Sequence, residues 1–351
     1  MAQSKENKLL SIIVASYNVE KYLPKAIDCY LQLLSNKEIY NKLEIIIIND
    51  GSIDKTKEIA TKFESDFPNA VRVINKENGG HGSCINTGIK EATGKYFFLV
   101  DADDWVNIEG LKQLIHLLES NDNDIICTKK REVNMMTDKS QLIPLPKNIQ
   151  TNKIFNLQEL QYNKFIVAYL SLHTCCFKTS ILKENHISVL EHCFYVDYEF
   201  ISKACTYCSS IIFYDLEVYQ YLIGNPNQSV NSKKLAERYI QQEKVINSII
   251  LFYNKLSANQ LSHLIEYKIS ALIRYYFKIL LLLFDDRKSG KKLSSDYAKQ
   301  LKKDYNNFWK STRKRYYLLK VLQIFNLNGD LIFNIKKRIP TLYNKVFNLF
   351  R

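Results

Sequence analysis

The stretch NGGHGSCINTGIKEATGKYFFLVDADDW, residues 78–105, begins with paired glycines and ends with three acidic residues directly after an apolar run. The run FFLV is apolar at successive positions, which predicts a strand buried on both faces, as in a parallel sheet. Because side chains alternate across an extended backbone, Asp101 and Asp103 are expected to point one way while Ala102 turns aside. Two converging carboxylates suit a hard divalent cation, Mg²⁺ or Mn²⁺. Taken alone, DADD is better interpreted as a capped turn, but its position directly after the apolar run favours the cation site.

The same pattern of an apolar run followed by polar residues repeats on both sides of this stretch. A helical pattern at residues 108–118 follows Asn107, which is a good N-cap. Alternating strands and helices predict an α/β, Rossmann-like, mostly parallel sheet over residues 8–130. Ligands bind such sheets beyond the carboxyl ends of the strands, where ASYN, NDGS, NGGHGS and DADD stand. The further apolar runs are residues 9–18, 43–52, 71–80 and 124–130.

The rest of the chain predicts a mixed middle region over residues 131–230 and a mainly helical region over residues 231–351. The most apolar helical pattern, residues 271–284, is short and contains Arg274 and Lys278, so a buried helix is favoured over a membrane span. The N-terminus passes from a polar lead directly into a predicted strand, so we expect no signal peptide.

The eight cysteines predict reduced thiols, since the chain is long and shows no export signal. Cys205 and Cys208 form a single CxxC pair, with neither a second pair nor paired histidines behind it. A zinc site is therefore the weaker interpretation, and thiols packed in the core are the better one.

The formal net charge of +13 is concentrated near the C-terminus. Residues 287–351 contain 17 Lys+Arg and 3 Asp+Glu, a net charge of +14, so the remaining residues are nearly neutral. Cationic amphipathic helices are typical of membrane-surface elements, whereas a solvated helical bundle or an oligomer interface is the alternative. No nucleic-acid-binding motif is present. The amphipathic segments are residues 310–325 (with Leu318, Val321, Leu322 and Phe325 on one face), 331–339 and 341–351.

Four segments occur together in an order and spacing that is highly specific. They cover about the first 130 residues, and on them the chain resembles inverting family 2 glycosyltransferases with a GT-A fold, of the bacterial cell-surface polysaccharide type. The segments are SIIVASYNVEKYL (11–23), LEIIIINDGSIDKT (43–56), NGGHGSCINTGIKEATGKY (78–96) and VDADDW (100–105).

The resemblance implies where a nucleotide would bind. Ala15, Ser16 and Tyr17 would line the nucleotide pocket, with Glu20 near it. Asp50 would accept a hydrogen bond from the base, typically uracil, although a turn aspartate is also good chemistry in NDGS.

The resemblance also implies a metal centre and a closing loop. Asp101 would face the ribose and the metal, Ala102 belongs to the same motif, and Asp103 would ligate Mn²⁺ or Mg²⁺. Residues 228–230 resemble a late loop of the family that closes over the diphosphate or the acceptor; a simple turn is the alternative. The loop residues are Gln228, Ser229 and Val230.

Two departures from the family concern the base and the donor loop. The inverting reaction needs a base, which the resemblance places at Asp197, with Glu199 as the neighbouring alternative; a surface carboxylate at a helix start is the structural interpretation. Val196 stands where the family often has an acidic residue.

In the donor loop, Ile85 replaces an arginine that many relatives have. His81 and the backbone of Gly80, Gly82 and Ser83 are expected to supply donors instead, because successive N–H groups can cradle an anion.

These features together predict a GT-A domain over residues 1–230 and a helical, basic region over residues 231–351. The domain would divide into a nucleotide-sugar half, 8–130, and an acceptor half, 131–230. The expected reaction moves a hexose or N-acetylhexosamine from a UDP-sugar to a glycan or lipid-linked acceptor with inversion, at the cytoplasmic face of a membrane.

Two alternatives remain beside this interpretation. A non-catalytic scaffold in a polysaccharide assembly complex could use the same fold. Under either interpretation the chain could form homo-oligomers. A nucleotidyltransferase would need a Gly-rich basic loop after the first strand, and ASYNVEKYL is not such a loop.

Overall fold

The structure is a computed structural model that describes residues 8–225, 232–257 and 261–324. These residues separate into two compact units. The first unit runs to Asn225 and also contains Leu256–Leu264, and the second contains the remaining described residues.

The strands of the first unit belong to a single sheet. In chain order they are β1 (Leu10–Ser16), β2 (Leu43–Asp50), β3 (Val71–Lys76), β4 (Tyr96–Asp101), β5 (Trp105–Val106), β6 (Ile125–Asn134), β7 (Ser140–Ile143), β8 (Ile154–Asn156), β9 (Cys175–Lys178) and β10 (Ser210–Ile223). Within residues 8–225 the sheet has ten strands in the order β3-β2-β1-β4-β9-β6-β10-β5, with β7 beside β6 and β8 beside β10. The β3-β2-β1-β4 half is parallel, which confirms the α/β prediction.

Helices connect these strands. They are α1 (Leu23–Leu34), α2 (Lys37–Lys42), α3 (Thr56–Asp66), α4 (His81–Glu91), α5 (Ile108–Glu119), α6 (Leu157–Leu160), α7 (Lys164–Tyr169), α8 (Thr179–Glu184) and α9 (Val196–Thr206). The predicted N-cap of α5 is confirmed, because the side chain of Asn107 accepts a hydrogen bond from the Gly110 N–H at 2.8 Å. Among these connections, α4 and α9 begin next to the residues that matter below.

The centre of the sheet is buried on both faces, as the apolar runs predicted. All eight residues of β2 are buried, and each isoleucine in it contributes about 1.5–3 kcal/mol by leaving water. Glu44 is the charged exception in this strand, and its carboxylate is fully engaged. It accepts hydrogen bonds from the Ser11 hydroxyl at 2.6 Å and the Thr93 N–H at 3.0 Å, and it pairs with Arg72 at 3.3 Å.

The strand that precedes the acidic residues ends earlier than the alternation argument assumed. β4 stops at Asp101, and the next two residues form a turn that is closed by the Asp104 N–H donating to the Asp101 carbonyl at 2.9 Å. The prediction that extended alternation continues to Asp103 was therefore wrong. The chain must turn here because Trp105 and Val106 pair antiparallel with β10.

The later part of the described chain is helical, as predicted. Its helices are α10 (Ser232–Glu237), α11 (Tyr239–Tyr253), α12 (Ser262–Lys278), which continues into a π-helical turn (Ile279–Leu283), α13 (Arg287–Asp304) and α14 (Asn306–Ile324). The π-helical turn is buried, in agreement with the prediction of a buried helix at residues 271–284. None of the helices described is long and apolar enough to cross a membrane.

The apolar face of α14 differs in part from the predicted one. Leu318 and Leu322 are buried as expected, but Val321 is 47% exposed. A buried stripe recurs every three or four residues instead, which is the spacing of one helix face. Phe325 and the amphipathic segments 331–339 and 341–351 lie outside the described residues. The stripe consists of Phe308, Thr312, Tyr316, Leu319 and Leu322.

Candidate active site

Two histidines flank the carboxylate of Asp101 at the end of β4. The Nε2 of His81 lies 2.9 Å from Oδ1, and the Nε2 of His173 lies 3.8 Å from Oδ2. Ala15, at the end of β1, is the register partner of Asp101 in the neighbouring strand. The parallel pairing of β1 and β4 thus brings the sequences ASYN and DADD to the same edge of the sheet.

The ring of His81 also reaches the predicted base. Its Nδ1 lies 3.3 Å from Oδ1 of Asp197, so one imidazole lies between two carboxylates from distant parts of the sequence. Burial opposes the charged form of the ring, but the charge of Asp101 and the hydrogen bonds to Asp101 and Asp197 outweigh it and raise the pKa of His81. A doubly protonated ring donates to both carboxylates, which satisfies each of its nitrogens.

The two aspartates of the acidic motif differ in electrostatic environment. Burial by itself would raise the pKa of Asp101, but the neighbouring His81 and His173 bring that pKa well below its usual range. Burial, with the negative charge of Asp101, raises the pKa of Asp103 to about 6. A nearby cation would stabilise the charged form of such a carboxyl group and lower its pKa again.

Asp104 holds the turn in place through hydrogen bonds to both of its carboxylate oxygens. Its side chain is buried and accepts hydrogen bonds from the Tyr219 hydroxyl at 2.6 Å and the Leu222 N–H at 2.7 Å. The Tyr219 hydroxyl accepts in turn from the Asp101 N–H at 3.2 Å. The third acidic residue of the motif therefore anchors the turn to β10.

The residues present fit a divalent cation. Asp101, Asp104 and His173 can bring one ligand atom each within 4.8 Å of one another. Each oxygen of Asp104 already accepts one hydrogen bond, so Asp101 and His173 are the more available ligands of this group. The Asp103 carboxylate is close enough for the charge of Asp101 to raise its pKa, and it is a further candidate ligand. Carboxylate oxygens with one imidazole suit Mn²⁺ better than Mg²⁺, which prefers oxygen alone.

Asp50 is buried and joins β2 to the loop before α4. Its Oδ1 accepts from the Gly79 N–H at 2.9 Å and pairs with the Lys76 Nζ at 2.8 Å, and its Oδ2 accepts from the Gly80 N–H at 2.8 Å. The Ser83 N–H donates to the Gly80 carbonyl at 3.0 Å. The amides of Gly80 and Ser83, two of the three predicted donors to an anion, are therefore already used within the fold, and the role of the Gly82 amide stays a prediction.

Glu199 and Asp197 occupy different environments on α9. Glu199 is fully buried, pairs with Lys203 at 2.7 Å and accepts from the Leu190 N–H at 3.0 Å. The Asp197 side chain is 44% exposed in the first turn of the helix. Solvent access and the contact with His81 favour Asp197 as the group that meets an acceptor.

The segment before α9 is attached closely to α4. Gly82 faces the Leu190 carbonyl, where a Cβ atom would lie only 2.0 Å from the oxygen. Asn86 donates to the Val189 carbonyl at 3.0 Å and accepts from the Val189 N–H at 2.9 Å. This attachment brings Asp197 next to the predicted donor residues.

The other residues that the sequence predicted for the site differ in exposure and in their contacts. Tyr17 is 51% exposed after β1, and Ser16 is buried. The Glu20 carboxylate accepts a hydrogen bond from the Lys55 N–H at 3.0 Å. Glu20 lines an open depression together with Ile53, Asp54, Lys55, Lys57, Glu58 and Thr61. Ile85 is fully buried and belongs to the core. Gln228 and Ser229 lie outside the described residues.

Sequence reasoning missed His173, Lys76 and Tyr219. His173 comes to Asp101 because β9 pairs antiparallel with β4, a topology that the residues around His173 do not signal. The contact of Lys76 with Asp50 could have been predicted, because the two residues end the neighbouring strands β3 and β2.

Comparison with known proteins places this site in a family. Residues 11–185 match the profile described as Glycosyl transferase family 2. The chain belongs to this family. The matched residues include the acidic motif and His173 but stop before Asp197.

Relatives of this glycosyltransferase are found in several organisms. It is 29% identical over 257 residues to the uncharacterized glycosyltransferase EpsJ of Bacillus subtilis (strain 168), a match that covers 70% of each chain. It is 35% identical over 130 residues to a dolichyl-phosphate beta-glucosyltransferase of Dictyostelium discoideum, covering 35% of this chain and 40% of the relative.

Solved structures support the GT-A fold of the glycosyltransferase. TarS 1-349 from S. aureus, in complex with UDP-GlcNAc, aligns over 91% of this chain and 92% of its own, with a TM-score of 0.57 and 17% identity. The mannosyltransferase PcManGT from Pyrobaculum calidifontis, in complex with GDP-Man and Mn²⁺, has a TM-score of 0.51 and 12% identity, over 90% of this chain and 87% of its own.

Proposed function

We propose that this glycosyltransferase moves a hexose or N-acetylhexosamine from a UDP-sugar to a hydroxyl group of a glycan or lipid-linked acceptor, with inversion. The observation that carries the proposal is the bridge from Asp101 through His81 to Asp197. It puts a half-buried carboxylate with a nearby imidazole, suited to a metal, beside an exposed carboxylate suited to proton transfer. These are the two functions that the reaction requires.

The neighbours of Asp50 support uracil as the base. Three acceptor positions of its carboxylate are already used, which leaves one on Oδ2. Uracil presents one N–H between two carbonyl groups, so Asp50 accepts from that N–H while Lys76 donates to an adjacent carbonyl. Guanine presents two neighbouring donors and would need two free acceptor positions. TarS was solved with UDP-GlcNAc, which agrees with this choice of base.

In the proposed reaction the acceptor oxygen attacks the anomeric carbon from the face opposite the diphosphate. A new C–O bond forms, the bond from the anomeric carbon to the phosphate oxygen breaks, and UDP leaves with the bonding electrons. Asp197 takes the proton of the acceptor hydroxyl. Asp101, Asp103 and His173 would hold a divalent cation, Mn²⁺ in our proposal, which neutralises charge on the departing diphosphate.

Asp103→Ala and Asp197→Asn test the proposal together. Purified protein is titrated with UDP and Mn²⁺ by calorimetry, and sugar transfer is followed across a panel of UDP-sugars and acceptors. We expect Asp103→Ala to weaken UDP binding and Asp197→Asn to abolish transfer while binding is kept. Tighter binding of GDP than UDP would contradict the assignment of the base. Full transfer by Asp197→Asn would contradict the assignment of the catalytic residue.

The basic C-terminal region supports a further proposal, that the enzyme works at an anionic membrane surface. Residues 325–351 contain five Lys+Arg and one Asp. Each basic residue near an anionic leaflet contributes about 1 kcal/mol to binding. Such a location would bring the enzyme to a lipid-linked acceptor.

A further inference from the structure

His81 occupies an unusual place because both of its ring nitrogens are in use. Nε2 contacts Asp101 at 2.9 Å and Nδ1 contacts Asp197 at 3.3 Å. An imidazole with both nitrogens facing carboxylates has no nitrogen left for a substrate proton. His81 is therefore unsuited to be the base itself, and its geometry is that of a spacer between two carboxylates.

The backbone that presents His81 is fixed from several directions. His81 is the first residue of α4, and it follows Gly80, whose φ of 80° is in the left-handed region. The amides of Gly79 and Gly80 donate to Asp50, and the Gly79 carbonyl accepts from the His192 N–H at 2.6 Å. The ring therefore starts from a backbone that has little freedom to move.

Asp197 has less support of its own. Its side chain is 44% exposed, and such a carboxylate can rotate about its side-chain bonds when nothing holds it. The contact with His81 involves Oδ1. Fixing Oδ1 determines the direction in which Oδ2 points, and Oδ2 is the oxygen left to receive a proton from an acceptor.

We propose that His81 is a positioning residue that orients the Asp197 carboxylate through Nδ1 and holds Asp101 through Nε2. The inference rests on the function proposed above. It assigns a separate task to each nitrogen: the Nδ1 contact serves proton transfer from the acceptor, and the Nε2 contact serves binding of the donor.

Two substitutions separate these tasks. The side-chain nitrogen of asparagine lies two bonds beyond Cβ, as does Nδ1 of histidine, whereas that of glutamine lies three bonds beyond, as does Nε2. His81→Asn therefore keeps a donor for Asp197, and His81→Gln keeps one for Asp101. His116→Gln, on an exposed face of α5, is the matched control.

Steady-state kinetics and UDP titration in Mn²⁺ give the first measurement. Since a misdirected catalytic group costs about 100-fold in rate, we expect His81→Gln to lower kcat by about that factor with UDP affinity kept. We expect His81→Asn to keep kcat and to bind UDP less tightly. Equal loss of kcat in both variants, or the reverse pattern, overturns the inference.

Nitrogen NMR of the histidine side chains tests the contact without turnover. The protein has six histidines, and the His81 signals are those absent from the His81→Gln spectrum. In metal-free protein, Asp197→Ala is expected to shift the His81 Nδ1 signal more than Nε2. An unmoved Nδ1 signal overturns the inference even if sugar transfer occurs. Failure of the wild type to transfer sugar, or full activity of Asp197→Asn, instead overturns the proposed function.

Discussion

At the residue scale, His173 is the contribution to the site that no sequence motif predicted. Its Nε2 lies 3.8 Å from Oδ2 of Asp101, and the ring packs against Tyr219 and Tyr221 with centroid distances of 4.8 and 4.6 Å. The two tyrosines restrict the plane of the imidazole while its Nε2 faces the carboxylate. Because the ring of His173 is already oriented, it would lose little conformational freedom on binding a cation.

We expect His173→Gln to weaken Mn²⁺ binding by about 10–100-fold, because the substitution removes an imidazole nitrogen from the cluster. The measurement is an electron paramagnetic resonance titration of free Mn²⁺ in the presence of UDP. His116→Gln should bind Mn²⁺ as the wild type does. Equal affinity in His173→Gln would remove this residue from the metal site.

The acidic residues of the motif show what sequence reasoning could and could not reach. Asp101 and Asp103 were predicted because they directly follow an apolar strand. The anchoring contacts of Asp104 were not predictable, since its partners Tyr219 and Leu222 lie more than a hundred residues further along the chain. A short segment of sequence shows which residue types suit a reaction. The hydrogen bonds that their side chains make depend on strands that are distant in the sequence.

At the element scale, the close contact between α4 and the segment before α9 couples the two predicted parts of the site. In Gly82→Ala the new methyl group would overlap the Leu190 carbonyl, so the segment must move and α9 with it. We expect kcat to fall by about 10–100-fold, since Asp197 is displaced from the acceptor. UDP affinity should change less than kcat, because the contacts of Asp50 are with the amides of Gly79 and Gly80 and not with the segment before α9.

Gly88→Ala is the control for this prediction. Its Cβ would lie 2.6 Å from the Ile13 side chain in the core. Both variants should be destabilised by about 1–3 kcal/mol in denaturant unfolding, as overpacked cores are. If the two variants lost kcat equally, the effect of Gly82→Ala would be one of general stability and not of element placement.

Strands and helices were predicted more reliably than their ends and faces. The uninterrupted apolar runs IIVA in β1, IIII in β2 and YFFLV in β4 predict strands that are buried on both faces. The turn after Asp101 depends on pairing with β10, and the buried face of α14 depends on which neighbours pack on it. Neither is determined by the local pattern alone.

At the scale of the whole molecule, the excess of Lys and Arg near the C-terminus leads to a prediction about membrane binding. We expect the triple variant Lys336→Gln, Lys337→Gln, Arg338→Gln to bind anionic vesicles about 100-fold more weakly, from about 1 kcal/mol per charge removed. Cosedimentation with phosphatidylglycerol vesicles measures the partition coefficient. The control substitutes three exposed lysines of the first unit: Lys57, Lys62 and Lys90. If both triple variants bound alike, a specific membrane role for the C-terminal region would be wrong.

The contacts of Asp50 bear on how parts of this enzyme can be exchanged with those of relatives. Because Asp50 accepts from the amides of Gly79 and Gly80 and pairs with Lys76, the end of β2 and the loop before α4 form one module. A chimera that takes only one of the two segments, from a relative without the acid, leaves buried donors unsatisfied at about 1–3 kcal/mol each. Grafted segments should therefore carry residues 43–52 and 76–84 together, and in evolving sequences we expect positions 50 and 76 to change as a pair.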